Sequence, residues 1–295
     1  MNTAKKNPPK VTVITPLYNT ELFIAETIKS VQEQTYPHWE MLIIDDCSKD
    51  NGCKIVESIA HGDSRIRLIK RDSNSGGPAA PRNVGLCQAK GEYIAFLDAD
   101  DLWYTDKLEK QVRYLEDNPE IFLLYAKMVT KVQNVSFQKV NSRFDLENSD
   151  NRFQLLLQSG NIVPILTVMI RNQNSSNFLF DEDPRIITCE DFDFWLQLAY
   201  ANKKFAFMEL PLSVYRQHDN NISKGILNSL QKNLFLLKKW RAKVSFLFTV
   251  KLYFLLIWRR GVVMLIRSVT PHATWSLLQK YLQLRKKTPA DRDVS

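Results

Sequence analysis

The patterned part of the chain opens with an apolar run at residues 11 to 15, VTVIT, and passes into ELFIAETIKSVQEQ, where apolar residues return every three or four positions. A run of the first kind predicts a strand and the second an amphipathic helix. The alternation continues through WEMLIID from Trp39, GCKIVESIA, RIRLIK, PRNVGLCQAK and YIAFLD. The strand-like runs are apolar throughout rather than at every second position, as expected of strands covered on both faces. Such alternation predicts βαβ units, a mostly parallel sheet and an α/β, Rossmann-like fold class. In that layout Pro16 to Asn19, Asp45 with Asp46, and Asp98 to Asp101 all follow the carboxyl ends of strands, where open α/β sheets bind ligands.

Further along the pattern loosens. Residues 106 to 115 read as a helix begun by Thr105 or Asp106, with Glu109 as a capping partner and Asn118-Pro119 as the stop. Residues 120 to 187 mix apolar strands (IFLLYAKMV, VPILTVMI) with polar loops (FDLENSDNR, RNQNSSN), which predicts an acceptor-side insertion rather than a separate domain. A helix follows from Glu190 and a strand near Phe205 to Met208. The expected organisation is an extension at 1–10, an α/β domain at 11–220 divided at 119/120, and a helical region at 221–295.

Charge changes the picture only once it is located. The 295 residues carry 40 Lys and Arg against 32 Asp and Glu, a net +8 that by itself points toward nucleic acid. Residues 220 to 290 hold 14 of those cations and no acid, so 26 remain against 32 acids elsewhere, a net of −6. An acidic body with a basic tail is not a nucleic-acid binder. In the tail VSFLFTV, LYFLLIW and GVVMLI are interrupted by Lys251, Arg259-Arg260 and Arg267. These runs fall short of the ~20 apolar residues a membrane span needs. They fit amphipathic helices on an anionic membrane surface, or a helical subdomain packed on the body or in a homodimer. Cys47, Cys53, Cys87 and Cys189 form no C-x-x-C pair, and the basic N-terminus has no apolar run of signal-peptide length behind it, so a cytoplasmic setting is expected.

Asp98, Asp100 and Asp101 follow the apolar run ending at Leu97. Crowded carboxylates repel unless solvent or a cation offsets them, and Mg²⁺ or Mn²⁺ does so while sharing substrate phosphates. A solvated turn with a helix cap explains the same residues. Asp46 has the position from which a carboxylate accepts from a base or ribose, and also that of a turn. The loop RDSNSGGPAAPRNVG brings glycines that allow close backbone approach, then Arg82, whose forked guanidinium suits phosphate. Glu190 and Asp191, after Thr188-Cys189, read either as a capping box or as a carboxylate able to deprotonate a hydroxyl. Trp195 is a sugar platform or a core residue, and His218 a surface residue or a metal or phosphate contact.

Taken in order, VITPLYNTELFIAETIKSVQEQTYPHWEMLIIDDCSKD, GGPAAPRNVGLCQAKGEYIAFLDADD and EDFDFWLQLA, across about residues 10 to 220, resemble family 2 glycosyltransferases with the A-type nucleotide-diphospho-sugar transferase (GT-A) fold. The resemblance implies that Pro16, Tyr18 and Glu21 lie along the nucleotide, Asp46 binds the base, Arg82 contacts base or phosphate, and Asp98 the ribose. It makes Asp100 the ligand of Mn²⁺ or Mg²⁺, with His218 joining it, Asp191 the catalytic base and Glu190 its acceptor-side neighbour. It implies an inverting transfer from a nucleotide-diphosphate sugar, UDP-linked in most of the family, to a glycan or lipid-linked acceptor at the cytoplasmic face of the inner membrane. Processive synthases carry Q-x-x-R-W after the ED motif, whereas here the stretch reads Gln217-His218-Asp219-Asn220, so one sugar per encounter is expected. Two other readings remain at this stage. A sugar nucleotidylyltransferase would open on a Gly- and Arg-rich loop, unlike TPLYNTE, and a catalytically inactive membrane scaffold would tolerate loss of Asp191.

Overall fold

The computed structural model describes residues 10–132, 135–139, 146, 149, 151–172, 178–218, 226–252 and 254. The N-terminal extension up to residue 9, most of FDLENSDNR and the tail beyond Phe254 lie outside the described residues. The chain divides into two compact units, residues 1–224 and 225–295.

The first unit is built on one sheet. β1 (Val11–Leu17), β2 (Trp39–Asp45), β3 (Ile66–Lys70) and β4 (Tyr93–Phe96) run parallel in the order β3-β2-β1-β4. β1, β2 and β4 are almost wholly buried, which is why their sequences show no alternation. The helices between them cover both faces. α1 (Ile24–Gln32) buries Ile24, Ile28 and Val31 at i, i+4 and i+7, and α2 (Gly52–Gly62) buries Val56. α3 (Ala79–Gln88) lies tightest, because a Cβ on Gly85 would come 2.5 Å from Ile14 Cγ2. That contact holds the Arg82 turn of α3 directly against β1.

Beyond β4 the sheet turns mixed. β5 (Leu102–Trp103), α4 (Lys107–Asp117), β6 (Ile121–Val132), β7 (Val135–Lys139), α5 (Arg152–Ser159), β8 (Met169–Arg171), α6 (Glu190–Tyr200) and β9 (Lys204–Gln217) follow in sequence. The spatial order continues from β4 through β8, β6 and β9 to β5, with β7 hairpinned onto β6. Parallel pairing therefore holds for the first four strands and for β6 with β9, while β4–β8, β6–β8, β6–β7 and β5–β9 are antiparallel. Residues 120 to 187 continue the sheet through β6 and β8. β9 runs well past the expected Met208, its register shifting against β6 before Pro211, and carries the chain to Arg216 beside the loop after β4.

Two local expectations fail for a physical reason. Asp106 and Cys189 occupy the N-cap positions of α4 and α6, yet neither makes a side-chain cap bond. Glu109 accepts instead from Thr35 Oγ1 at 2.6 Å, and Asp191 is engaged elsewhere. Tertiary partners thus outcompete the local capping box. α4 also starts with Lys107, fully buried, its amine bonded to Gln111 Oε1 and 4.2 Å from the Trp103 ring centroid. Burial pushes that amine well below its ordinary 10.5.

The second unit contains α7 (Ile226–Trp240), a single 3-10 turn at Arg241–Lys243 and helical residues 246–252 and 254. Among the described residues no helix is long and apolar enough to cross a membrane.

Candidate active site

The loops after β1 and β2 are stitched together. Asn19, held at φ +51°, donates its backbone N–H to Ser48 Oγ and accepts from Lys49 N–H at 2.8 Å. Glu21 accepts from the backbone and side chain of Asn51 at 2.8 and 3.0 Å, and the backbone bond foremost lowers its pKa. Glu21 is thus a structural latch as well as a candidate nucleotide neighbour. Pro16 sits opposite Ile44 in the β1–β2 ladder, and Tyr18 projects into solvent beside it. Asp46 is buried, and its carboxylate accepts from Arg71 and from Ser75 N–H and Oγ at 3.0 and 2.8 Å. It organises the 71–75 loop.

Arg82 is the hub. Only 3% exposed, its guanidinium donates to Asp98 at 2.7 Å and to Glu190 at 2.8 Å, bridging the loop after β4 to the first turn of α6. Burial works against the cation, but the charges of Asp98 and Glu190 more than compensate and raise its pKa. Glu190 Oε2 is buried and finds no hydrogen-bond partner among the described residues. An orphaned carboxylate oxygen in a cleft is an acceptor waiting for a donor such as a sugar hydroxyl.

Asp191, next along α6, is half-buried and accepts from Asn161 Nδ2 and from Phe192 N–H, both at 2.7 Å. Burial, then the charge of Glu190, push its pKa up to about 7, against the opposing pull of Arg82 and the two donors. The residue three positions before it, Thr188, has φ +74°, a strained conformation for a β-branched residue at the entrance to the site.

At the end of β4 three aspartates take different roles. Asp101 is buried and accepts from Arg216 N–H at 2.9 Å. Burial, then Asp100 and Asp98, raise its pKa well above the carboxylate range. Asp100 Oδ2 lies 3.0 Å from His218 Nε2, and its pKa too is raised, by burial and then by Asp98. His218 stacks on Phe23 with ring centroids 4.5 Å apart. Arg216 ties the group down, donating to the Asp100 carbonyl, to Thr27 Oγ1 at 2.9 Å and to Glu26 at 2.6 Å.

Among the described residues no three His, Cys, Asp or Glu side chains are disposed to hold a metal ion. The chain does present Asp100 and His218 as a two-member donor set, oxygen and nitrogen, in a spot where crowded carboxylates disfavour ionisation. That set fits a divalent cation whose remaining ligands are diphosphate oxygens and water.

Arg82 thus joins Asp98 to Glu190, the neighbour of Asp191, while His218 meets Asp100 two positions beyond Asp98. Trp195 is not part of it. Its side chain is fully buried beside Phe194, with the indole N–H bonded to the Val163 carbonyl at 3.1 Å, so it has no face to offer a sugar and belongs to the core. Residues absent from the sequence expectation are Arg216 and Asn161. Asn83 bonds Phe180 N–H, Phe180 O and Glu182 at 2.8, 2.9 and 2.8 Å and straps the 180–182 segment onto α3.

Comparison with known proteins gives this arrangement a family. The sequence profile described as glycosyl transferase family 2 matches residues 12–174. TuaG of Bacillus subtilis, named for teichuronic acid biosynthesis, is 33% identical over 231 residues, covering 78% of this chain and 88% of its own. WfgD of Escherichia coli, named as a UDP-Glc:α-D-GlcNAc-diphosphoundecaprenol β-1,3-glucosyltransferase, is 32% identical over 224 residues, 75% of this chain and 83% of its own. The fold is shared with TarS of S. aureus crystallised with UDP (TM-score 0.56, 23% identity, 80% and 76% of the two chains). It is shared also with the mannosyltransferase PcManGT of Pyrobaculum calidifontis, solved with GDP-Man and Mn²⁺ (TM-score 0.59, 18% identity, 96% and 82%). With the profile spanning more than half of its 295 residues, the chain belongs to glycosyl transferase family 2 and is a glycosyltransferase.

Proposed function

We propose that the protein transfers one sugar per encounter from a nucleotide-diphosphate donor, UDP-linked, to a hydroxyl of a lipid-linked or cell-surface glycan, with inversion at the anomeric carbon. The observation that carries this reading is Asp191: a half-buried carboxylate brought to about 7, joined through Glu190 and Arg82 to the Asp98 loop. A general base works best with a pKa near the operating pH. In the reaction the acceptor oxygen attacks the anomeric carbon and its proton passes to Asp191. The bond from that carbon to the diphosphate breaks, and the nucleoside diphosphate leaves with the electron pair.

Each remaining residue has a share. Asp46 with Ser75, and Pro16, Tyr18 and Glu21, shape the nucleotide end; Asp98 serves the ribose; Arg82 fixes Asp98 and Glu190 and supplies positive charge near the departing diphosphate. Glu190 Oε2 accepts a sugar or acceptor hydroxyl. Asp100 and His218 would hold Mn²⁺ or Mg²⁺, and their mixed oxygen and nitrogen set favours Mn²⁺. When bound, the ion neutralises charge on the leaving diphosphate. The names of TuaG, WfgD and the UDP-bound TarS support the donor and the surface-polysaccharide setting, and the diphosphoundecaprenol acceptor of WfgD supports a lipid-linked acceptor at the cytoplasmic face of the inner membrane.

A thermal-unfolding panel of UDP-, GDP- and dTDP-sugars with and without Mn²⁺ tests this. A donor at about 100 times its Kd adds about 2.7 kcal/mol, several degrees for a domain of this size. We expect one UDP-sugar to do so in a Mn²⁺-dependent way. No stabilisation by any of them contradicts the reading.

A further inference from the structure

The second unit carries a feature that sugar transfer itself does not use. Residues 246–252 and 254 are helical, and within them Phe246, Leu247, Val250 and Phe254 are exposed by 81, 80, 50 and 68%. At about 100° per residue these four fall inside one arc of about 100°. Leu252, on the other side of the same helix, is buried at 3% exposure. The helix is therefore apolar on the face it shows to water. Exposed cations lie close to it in the sequence: Lys238, Lys239, Arg241, Lys243 and Lys251, in a stretch from 220 to 290 that has no Asp or Glu. Two large exposed Phe rings on one helical face are costly in water, and a group of exposed cations is costly to bring against another basic surface.

We infer that this face, Phe246, Leu247, Val250 and Phe254 with Arg241, Lys243 and Lys251, docks the enzyme on an anionic lipid bilayer. The apolar side chains enter the boundary between headgroups and acyl chains, and the flanking cations meet lipid phosphates. Charge complementarity selects the occupant. The same face of a second copy would place like charges face to face, whereas an anionic bilayer offers opposite charge and an apolar layer together. The inference leans on the proposed transfer only for its purpose, since a surface-bound enzyme meets a lipid-linked acceptor by diffusion in two dimensions.

The test is co-sedimentation of the full chain with vesicles of phosphatidylcholine, alone or mixed with phosphatidylglycerol, without donor or acceptor, so its outcome is independent of whether the transfer reading is right. Wild type should bind the mixed vesicles, release as salt rises, and bind phosphatidylcholine weakly. F246S/F254S, at exposed positions, should keep the unfolding temperature and lose binding roughly tenfold or more. K243E/K251E should weaken binding by about fivefold or more for each site altered. Wild type that stays in the supernatant with mixed vesicles overturns the inference. So does F246S/F254S that binds undiminished, or that converts a dimer to a monomer in sedimentation, which would make the face a contact between copies.

Discussion

Asp191 offers the sharpest handle on the chemistry. Burial and the neighbouring Glu190 bring its pKa to about 7, and it must be ionised to take the acceptor proton. Activity should therefore rise with pH through about 7 and then level. One pH unit below, about a tenth of the carboxylate is ionised, so kcat/KM should fall about tenfold per unit on the acid side. Asp191→Asn should lower the plateau by about 10²- to 10⁴-fold and abolish that limb. Asn161→Ala removes a donor that favours the charged form, and should move the limb to higher pH. Stability carries the opposite sign. The folded pKa lies above the ordinary 3.8, so the folded state holds the proton longer and loses stability as pH rises from about 4 to about 7. Asp191→Asn should then unfold at higher temperature than wild type at pH ~8, with the difference vanishing near pH ~4. Initial rates of nucleoside diphosphate release across this range, with melts of both proteins, supply the data. A flat profile in wild type, or an unchanged acid limb in Asp191→Asn, would refute the reasoning.

Among the described residues Lys107 has Gln111 and the Trp103 ring to offset its desolvation cost, so Lys107→Met should stabilise the fold by about 1 kcal/mol at neutral pH in a denaturant titration. The unfolded chain holds the proton up to 10.5 while burial favours its release in the folded one, so wild-type stability rises as pH approaches 10.5 and the advantage of Lys107→Met should shrink toward pH ~10. Arg216→Gln loses the bonds to the Asp100 carbonyl and Thr27 while keeping the backbone bond to Asp101, and should cost about 1.5–3 kcal/mol in the same titration. The Glu26 contact adds little, since that carboxylate is 69% exposed. If Arg216 also positions Asp100 and His218, direct Mn²⁺ binding by calorimetry should weaken in Arg216→Gln, and unchanged binding would limit it to a fold role.

What the sequence made legible follows from how the site is built. The part of the sheet formed by β1, β2 and β4 was readable because those strands are largely apolar, buried runs whose ends deliver polar loops, so Asp46, Asp98 and Asp100 could be placed before any contact was known. The mixed half was not, because β8 is three residues long and β9 pairs β6 over an irregular register that no local period encodes. The pairings that make the site a unit are equally invisible: Arg82 meets Glu190 across 108 positions, and Arg216 meets Asp100 across 116. Arg216 directly precedes the Gln217-His218-Asp219-Asn220 stretch, in which only the histidine had an evident chemistry. Trp195 shows the converse, since an aromatic residue in a helix after an acidic pair has the composition of a platform and the burial of a core residue. Helix α6 takes Cys189 rather than Thr188 at its N-cap position, and the Asp191 carboxylate accepts from Asn161, thirty positions away.

The configuration of the new linkage tests the central claim most directly. With the donor that stabilises the enzyme and its accepted acceptor, the anomeric coupling constant of the first product, read by proton NMR, should show the configuration opposite to that of the donor. A product that retains the donor's configuration would contradict single displacement with Asp191 as base.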